Sequence, residues 1–131
     1  MTKKEALQIL AILKAAYPSS FNGTKEELTG TVAVWALQFA DMPADIVLMA
    51  VHKLISTSKF PPAIAEVKKV IEGLYWESYS ALCDGLRYKT ITEDEKRRLE
   101  RICEVTEGYK AGAFEIGVKA MVGGNTPLLG G

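Results

Sequence analysis

Two consecutive prolines, Pro61 and Pro62, separate two strongly amphipathic stretches. Neither proline has an N–H and each ring fixes φ, so the pair fits inside neither a helix nor a central strand. The first pushes Phe60 toward an extended backbone. The second suits the first turn of a helix, where a missing donor costs nothing. Lys59-Phe60-Pro61-Pro62 is therefore expected to stop one helix, turn a corner at Phe60 and start another over Ala63 to Leu74. If the Phe60 ring is buried in that corner, Phe60→Ala costs about 2–4 kcal/mol.

Helix signals dominate elsewhere. Thr2-Lys3-Lys4-Glu5, Thr24-Lys25-Glu26-Glu27 and Thr92-Glu93-Asp94-Glu95 all have capping-box spacing, in which threonine and glutamate satisfy each other's free N–H groups. The first opens a helix with Ala6, Ile9, Leu10, Leu13 and Tyr17 on one face, ended by Pro18-Ser19-Ser20. The second opens a helix with Leu28, Val32, Trp35 and Phe39 spaced for a single apolar stripe. Asp41-Met42-Pro43 closes it and starts a third, with Pro43 near the first turn and Ile46, Val47, Ala50, Val51 and Leu54 facing inward. Beyond the elbow, Ile64, Val67, Val70, Ile71 and Leu74 form a fourth stripe that can continue through Tyr75, Trp76 and Tyr79 to Leu82.

Glycine supplies the remaining punctuation. Gly73 is expected to mark a close helix contact, since it otherwise weakens a helix. Asp84-Gly85 is expected to break the chain, and Gly108 and Gly112 to interrupt the charged helix that Thr92 opens. A short last helix is expected over Ala113 to Val122, followed by a Gly-rich flexible tail. No strand pair emerges. The sequence therefore predicts an all-α protein: a compact N-terminal bundle of about four helices over residues 1–78, a helical partner-binding region over 79–122, and a tail over 123–131.

Composition narrows the function. Sixteen basic and sixteen acidic residues cancel. Residues 1–59 carry six basic and five acidic groups, and residues 60–131 ten and eleven. Neutrality argues against a protein whose main task is gripping nucleic acid, because that affinity comes mostly from neutralised phosphates. No apolar run approaches the roughly 20 residues of a membrane span, and the charged amphipathic start does not read as a signal peptide. Cys83 and Cys103 lack metal-site or redox spacing and read as reduced thiols in a cytoplasm. No phosphate-binding glycine loop, nucleophile elbow or zinc motif occurs, and His52 is the only histidine. Neither an enzyme nor a bound cofactor or metal is expected.

The one concentrated basic patch is Lys96, Arg97, Arg98 and Arg101. It is either a contact for an acidic partner or a solvated face neutralised at i,i+4 by Glu93, Asp94, Glu100 and Glu104. An exposed tryptophan or tyrosine among Trp35, Trp76, Tyr75 and Tyr79 would be a candidate partner anchor. A helix-turn-helix around Asp41-Met42-Pro43 is the alternative, giving a small helical DNA-binding regulator. Its would-be recognition helix, residues 44–58, offers only His52 and Lys53.

Several of these segments fall in a familiar order. Ala16-Tyr17-Pro18 ends the first helix, and Val34-Trp35-Ala36 and Phe39-Ala40-Asp41 lie on the second. Val47, Ala50, Val51 and Leu54 follow, and then Lys59-Phe60-Pro61-Pro62-Ala63-Ile64. Over residues 1–76 the chain resembles the small phage replication proteins that load, and in excess inhibit, a replicative DNA helicase. The resemblance implies a non-enzymatic helical adaptor in the bacterial host cytoplasm, binding the hexameric helicase through a looser C-terminal region and also contacting the phage origin-binding initiator. On that reading the partner grip falls around Lys96, Arg97, Arg98, Arg101 and Tyr109, while Trp35, Phe60, Pro61 and Pro62 serve structure.

Overall fold

A computed structural model describes residues 1–21 and 23–110. The expected helix over Ala113 to Val122 and the tail over 123–131 lie outside the described residues. Within them are five α-helices and no strand: α1 Lys3–Ala16, α2 Lys25–Gln38, α3 Ala44–Thr57, α4 Ile64–Tyr88 and α5 Glu93–Thr106. Short 3₁₀ turns follow α1 (Pro18–Ser20) and α5 (Glu107–Tyr109). The all-α expectation holds. Contacts group the chain into two units, Met1–Ile71 and Glu72 onward, with α4 contributing its opening turns to the first and the rest to the second.

In the first unit, the Thr2 and Thr24 boxes are complete in both directions. Each threonine oxygen accepts from the N–H three residues on at 3.2 Å, and the Glu5 and Glu27 carboxylates accept from the cap N–H groups in return. The Thr2 N–H holds the Glu5 carboxyl below the usual carboxylate range. α1 packs on α2 and α3 through Ala6, Ile9, Leu10 and Leu13. The core between them is closed by Trp35 and Phe39 from α2 and by Ile46, Val47, Ala50 and Val51 from α3. Pro43 caps α3 from just outside its first turn.

The elbow departs from expectation twice. The Phe60 ring is 72% exposed, so the loss expected for a buried ring does not apply. It is Pro62 that turns inward and is buried, while the Ser58 hydroxyl donates to the Phe60 carbonyl at 3.0 Å and fixes the corner. Proline chemistry dictates the backbone path but not which side of it the neighbouring ring takes. Pro62 also precedes the helix instead of opening its first turn. The Glu66 carboxylate accepts from the Ala63 N–H at 3.0 Å, and the Val67 N–H donates to the Ala63 carbonyl at 3.1 Å. Ala63 is thus the cap, selected by a glutamate three residues on. Phe60→Ala should leave stability within about 0.5 kcal/mol of the parent in urea unfolding; a loss above about 2 kcal/mol would place the ring in the core.

The elbow is also tied to the end of α1. The Tyr17 hydroxyl donates to the Ser58 carbonyl at 2.8 Å. On the other side, the Lys68 ammonium donates to the Gln38 side-chain carbonyl at 2.8 Å and lies 5.9 Å from the centre of the Phe39 ring.

In the second unit, Asp84-Gly85 does not break the chain, because α4 runs on to Tyr88. A Cβ built on Gly85 would meet the Ile91 Cβ at 2.8 Å. This glycine lets the returning chain approach, and the stop comes four residues later. Lys89 takes a left-handed φ of 55°, and the Thr90 N–H donates back to the Gly85 carbonyl at 3.1 Å, a Schellman-type ending. Gly73, expected at a close contact, is exposed and would have nothing within 4 Å of an added Cβ. The two glycines therefore predict opposite outcomes. Gly73→Ala should stabilise by about 0.5–1 kcal/mol through helix propensity. Gly85→Ala should destabilise, with overpacking of about 1–3 kcal/mol exceeding the same propensity gain. Thermal unfolding of the two variants checks the sign of each.

Candidate partner-binding surface

The later turns of α4 and all of α5 form the second unit, with Leu74, Tyr75, Ser78, Ile102 and Thr106 buried. Ile91 at one end sits against Gly85, and the Lys110 ammonium at the other lies 5.6 Å from the centre of the Tyr75 ring. The chain therefore doubles back, with α5 returning along α4. Ile102 and Thr106, one turn apart, bring the narrow apolar face of α5 inward, and the buried Thr106 hydroxyl donates to the Ile102 carbonyl. α5 begins at Thr92, whose oxygen accepts from the Glu95 N–H at 3.2 Å. Glu93, Asp94 and Glu95 in its first turn complement the helix dipole.

The sequence-predicted residues divide on this frame. Arg97 and Arg101 are four residues apart and Arg98 and Arg101 three, so the three arginines share one exposed flank of α5. Neither Arg97 nor Arg98 forms an ion pair among the described residues. The i,i+4 neutralisation that the sequence permits is absent at these two positions. Lys96 does not join them: it is half-buried and about 160° round the helix from Arg98. Tyr109 is half-buried in the 3₁₀ turn. Beside it, Lys110 pairs with the Glu107 carboxylate at 3.0 Å, which raises the Lys110 pKa above the usual lysine range.

Sequence reasoning placed the aromatic residues of α4 on its continuing apolar stripe, and the structure buries only part of them. Trp35 is buried in the first unit, and Tyr75 in the second is buried too, but Trp76 and Tyr79 are 41% and 47% exposed. They form a connected patch: Tyr75 and Trp76 meet edge to face at 4.9 Å, and Tyr79 stacks 6.1 Å from Tyr75. Leu86, two turns on from Tyr79 along the same side, is also exposed. The spacing of Trp76, Tyr79 and Leu86 is helical, but a core stripe has the same spacing. A hydrogen bond with the Cys83 thiol is the main cause that raises the Tyr79 pKa above the usual phenol value, so the ring stays neutral at physiological pH. Burial raises the thiol pKa of Cys103, which disfavours its reactive thiolate.

No group of three His, Cys, Asp or Glu side chains among the described residues could hold a metal ion. No described helix is long and apolar enough to cross a membrane. What the surface offers is recognition: guanidinium donors on α5 and amphipathic aromatic rings on α4, the residue types that dominate protein interfaces.

Comparison with curated proteins and with solved structures finds no match to this chain. Among protein families, the model for the N-terminal domain of a phage helicase loader and inhibitor matches residues 1–68. That span holds both complete capping boxes, the Tyr17–Ser58 tie and the proline elbow, and it ends at Lys68, before the exposed aromatic and arginine residues. Because the match covers more than half of its length, the chain belongs to this family of phage helicase loaders and inhibitors.

Proposed function

We propose that the protein binds a hexameric replicative DNA helicase, loads or inhibits it, and bridges it to the phage origin-binding initiator in the bacterial host cytoplasm. In this reading the bundle of residues 1–78 organises the protein and contacts the initiator. Residues 79–122 grip the helicase around Arg97, Arg98, Arg101 and Tyr109, with Lys96 on the other side of α5 contributing little and the exposed Trp76 extending the surface at its edge. The adaptor acts through protein contacts, without catalysis and without strong nucleic-acid binding of its own. The observation that carries the reading is the exposed pair Arg97 and Arg98, without an ion pair among the described residues, on a unit that also exposes Trp76 and Tyr79. Arginine and aromatic side chains left uncovered together supply charge steering and desolvated anchors to an incoming protein.

Size-exclusion chromatography with the cognate phage or host helicase, with ATP and with ADP, tests the reading. A co-eluting complex at micromolar concentrations is the expected result; no complex in either nucleotide state sinks it. A ternary complex on adding the initiator tests the bridge separately.

A further inference from the structure

The first unit carries an opening that the helicase reading does not use. Between α1 and α2 lies a cleft of about 480 Å³, and beside it a second of about 180 Å³. Leu7, Leu28 and Val32 line both, so the two form one groove along the helix pair. Leu7 is 56% exposed, a large apolar side chain left in water on an otherwise well-packed helix. The rim is cationic: Lys3, Lys4 and Lys25 border the larger cleft and Lys14 the smaller. No acidic residue lines either part.

We infer that this groove is a docking site for an acidic amphipathic helix of a partner protein. Shape and charge both point to that occupant. From Lys3 to Lys14 the groove follows α1 for about 17 Å, at 1.5 Å per residue, which fits about three turns of a third helix. Leucine-type side chains at i, i+3, i+4 and i+7 would bury against Leu7, Leu28 and Val32, as in helix-in-groove recognition. Carboxylates flanking that stripe would face the four lysines, whereas a basic helix would be repelled by all of them. Nothing in this inference depends on helicase binding by the second unit.

The test uses the full chain and a synthetic helix of about four turns, with leucine at i, i+3, i+4 and i+7 and glutamate on its flanks. Saturable binding by fluorescence anisotropy is expected, with amide shifts in an NMR titration centred on Leu7, Leu28 and Val32. A peptide with lysine in place of each glutamate should bind at least about tenfold more weakly, and added salt should weaken the acidic peptide. Leu7→Asp and, separately, Lys4→Glu with Lys25→Glu should each lower affinity at least about tenfold. The charge variant keeps the test valid if Leu7→Asp fails to fold. Equal binding of acidic and basic peptides, or indifference to the charge variant, overturns the proposal. So does self-association abolished by Leu7→Asp, which would make the occupant a second copy. Displacement of resonances from residues 111–131 by the peptide would assign the groove to the chain's own end and overturn it as well.

Discussion

Phe39→Ala is expected to destabilise the protein by about 3–5 kcal/mol, enough to unfold the first unit under mild conditions. The ring is 1% exposed at the end of α2. It packs 5.6 Å from the Trp35 ring, in a tilted arrangement, and the Lys68 ammonium lies 5.9 Å from its centre. Truncation removes the apolar area, leaves a cavity beside Trp35, and deprives Lys68 of the ring it covers. Urea or thermal unfolding followed by circular dichroism measures the loss. A cost below about 1 kcal/mol would show that Phe39 is not part of the core. The contrast with Phe60→Ala is the sharper check, because residue type is the same and burial alone separates the two.

That contrast also shows what the sequence could reveal. The starts of α1 and α2 were legible because each is decided by residues three apart: Thr2 with Glu5, and Thr24 with Glu27. The inward faces of α1 and α3 were legible from the helical spacing of Ala6, Ile9, Leu10 and Leu13 and of Ile46, Val47, Ala50 and Val51. Misreadings arose where one residue type serves two physical purposes. Glycine ends helices and also permits close approach, and only the position of Ile91 decides that Gly85 does the second. Proline fixed the elbow's backbone, yet the choice between burying Phe60 and burying Pro62 depends on contacts with distant helices. At the candidate surface the basic run of α5 was legible, but Lys96 read as one patch with the arginines although the helix turns it to the other side. The exposure of Trp76 and Tyr79 was not legible, since a helix packed on one side by α5 leaves its flank uncovered and sequence periodicity does not say which stripe is the packed one.

Reversing the charge of the α5 flank, with Arg97→Glu and Arg98→Glu together, is expected to weaken the helicase complex by about 100-fold, about 2.7 kcal/mol. Both side chains are exposed, and neither makes an ion pair among the described residues. Their replacement therefore breaks no ion pair among the described residues, and glutamate has a helix propensity close to that of arginine. Helix content and melting temperature should stay near the parent values, which separates lost binding from lost folding. The double reversal turns attraction for an acidic partner surface into repulsion, so the effect should be largest at low salt and should shrink as screening rises. Lys96→Glu, half-buried on the far side of α5, should change affinity far less. Fluorescence anisotropy of the labelled protein titrated with helicase at two ionic strengths reads all three expectations. If the double variant binds like the parent, the arginine flank is not the grip. If Lys96→Glu alone abolishes binding, the interface lies on the other edge of the helix. A loss of affinity that is equal at both ionic strengths would mean that Arg97 and Arg98 act through direct hydrogen bonds rather than through the charge of the flank.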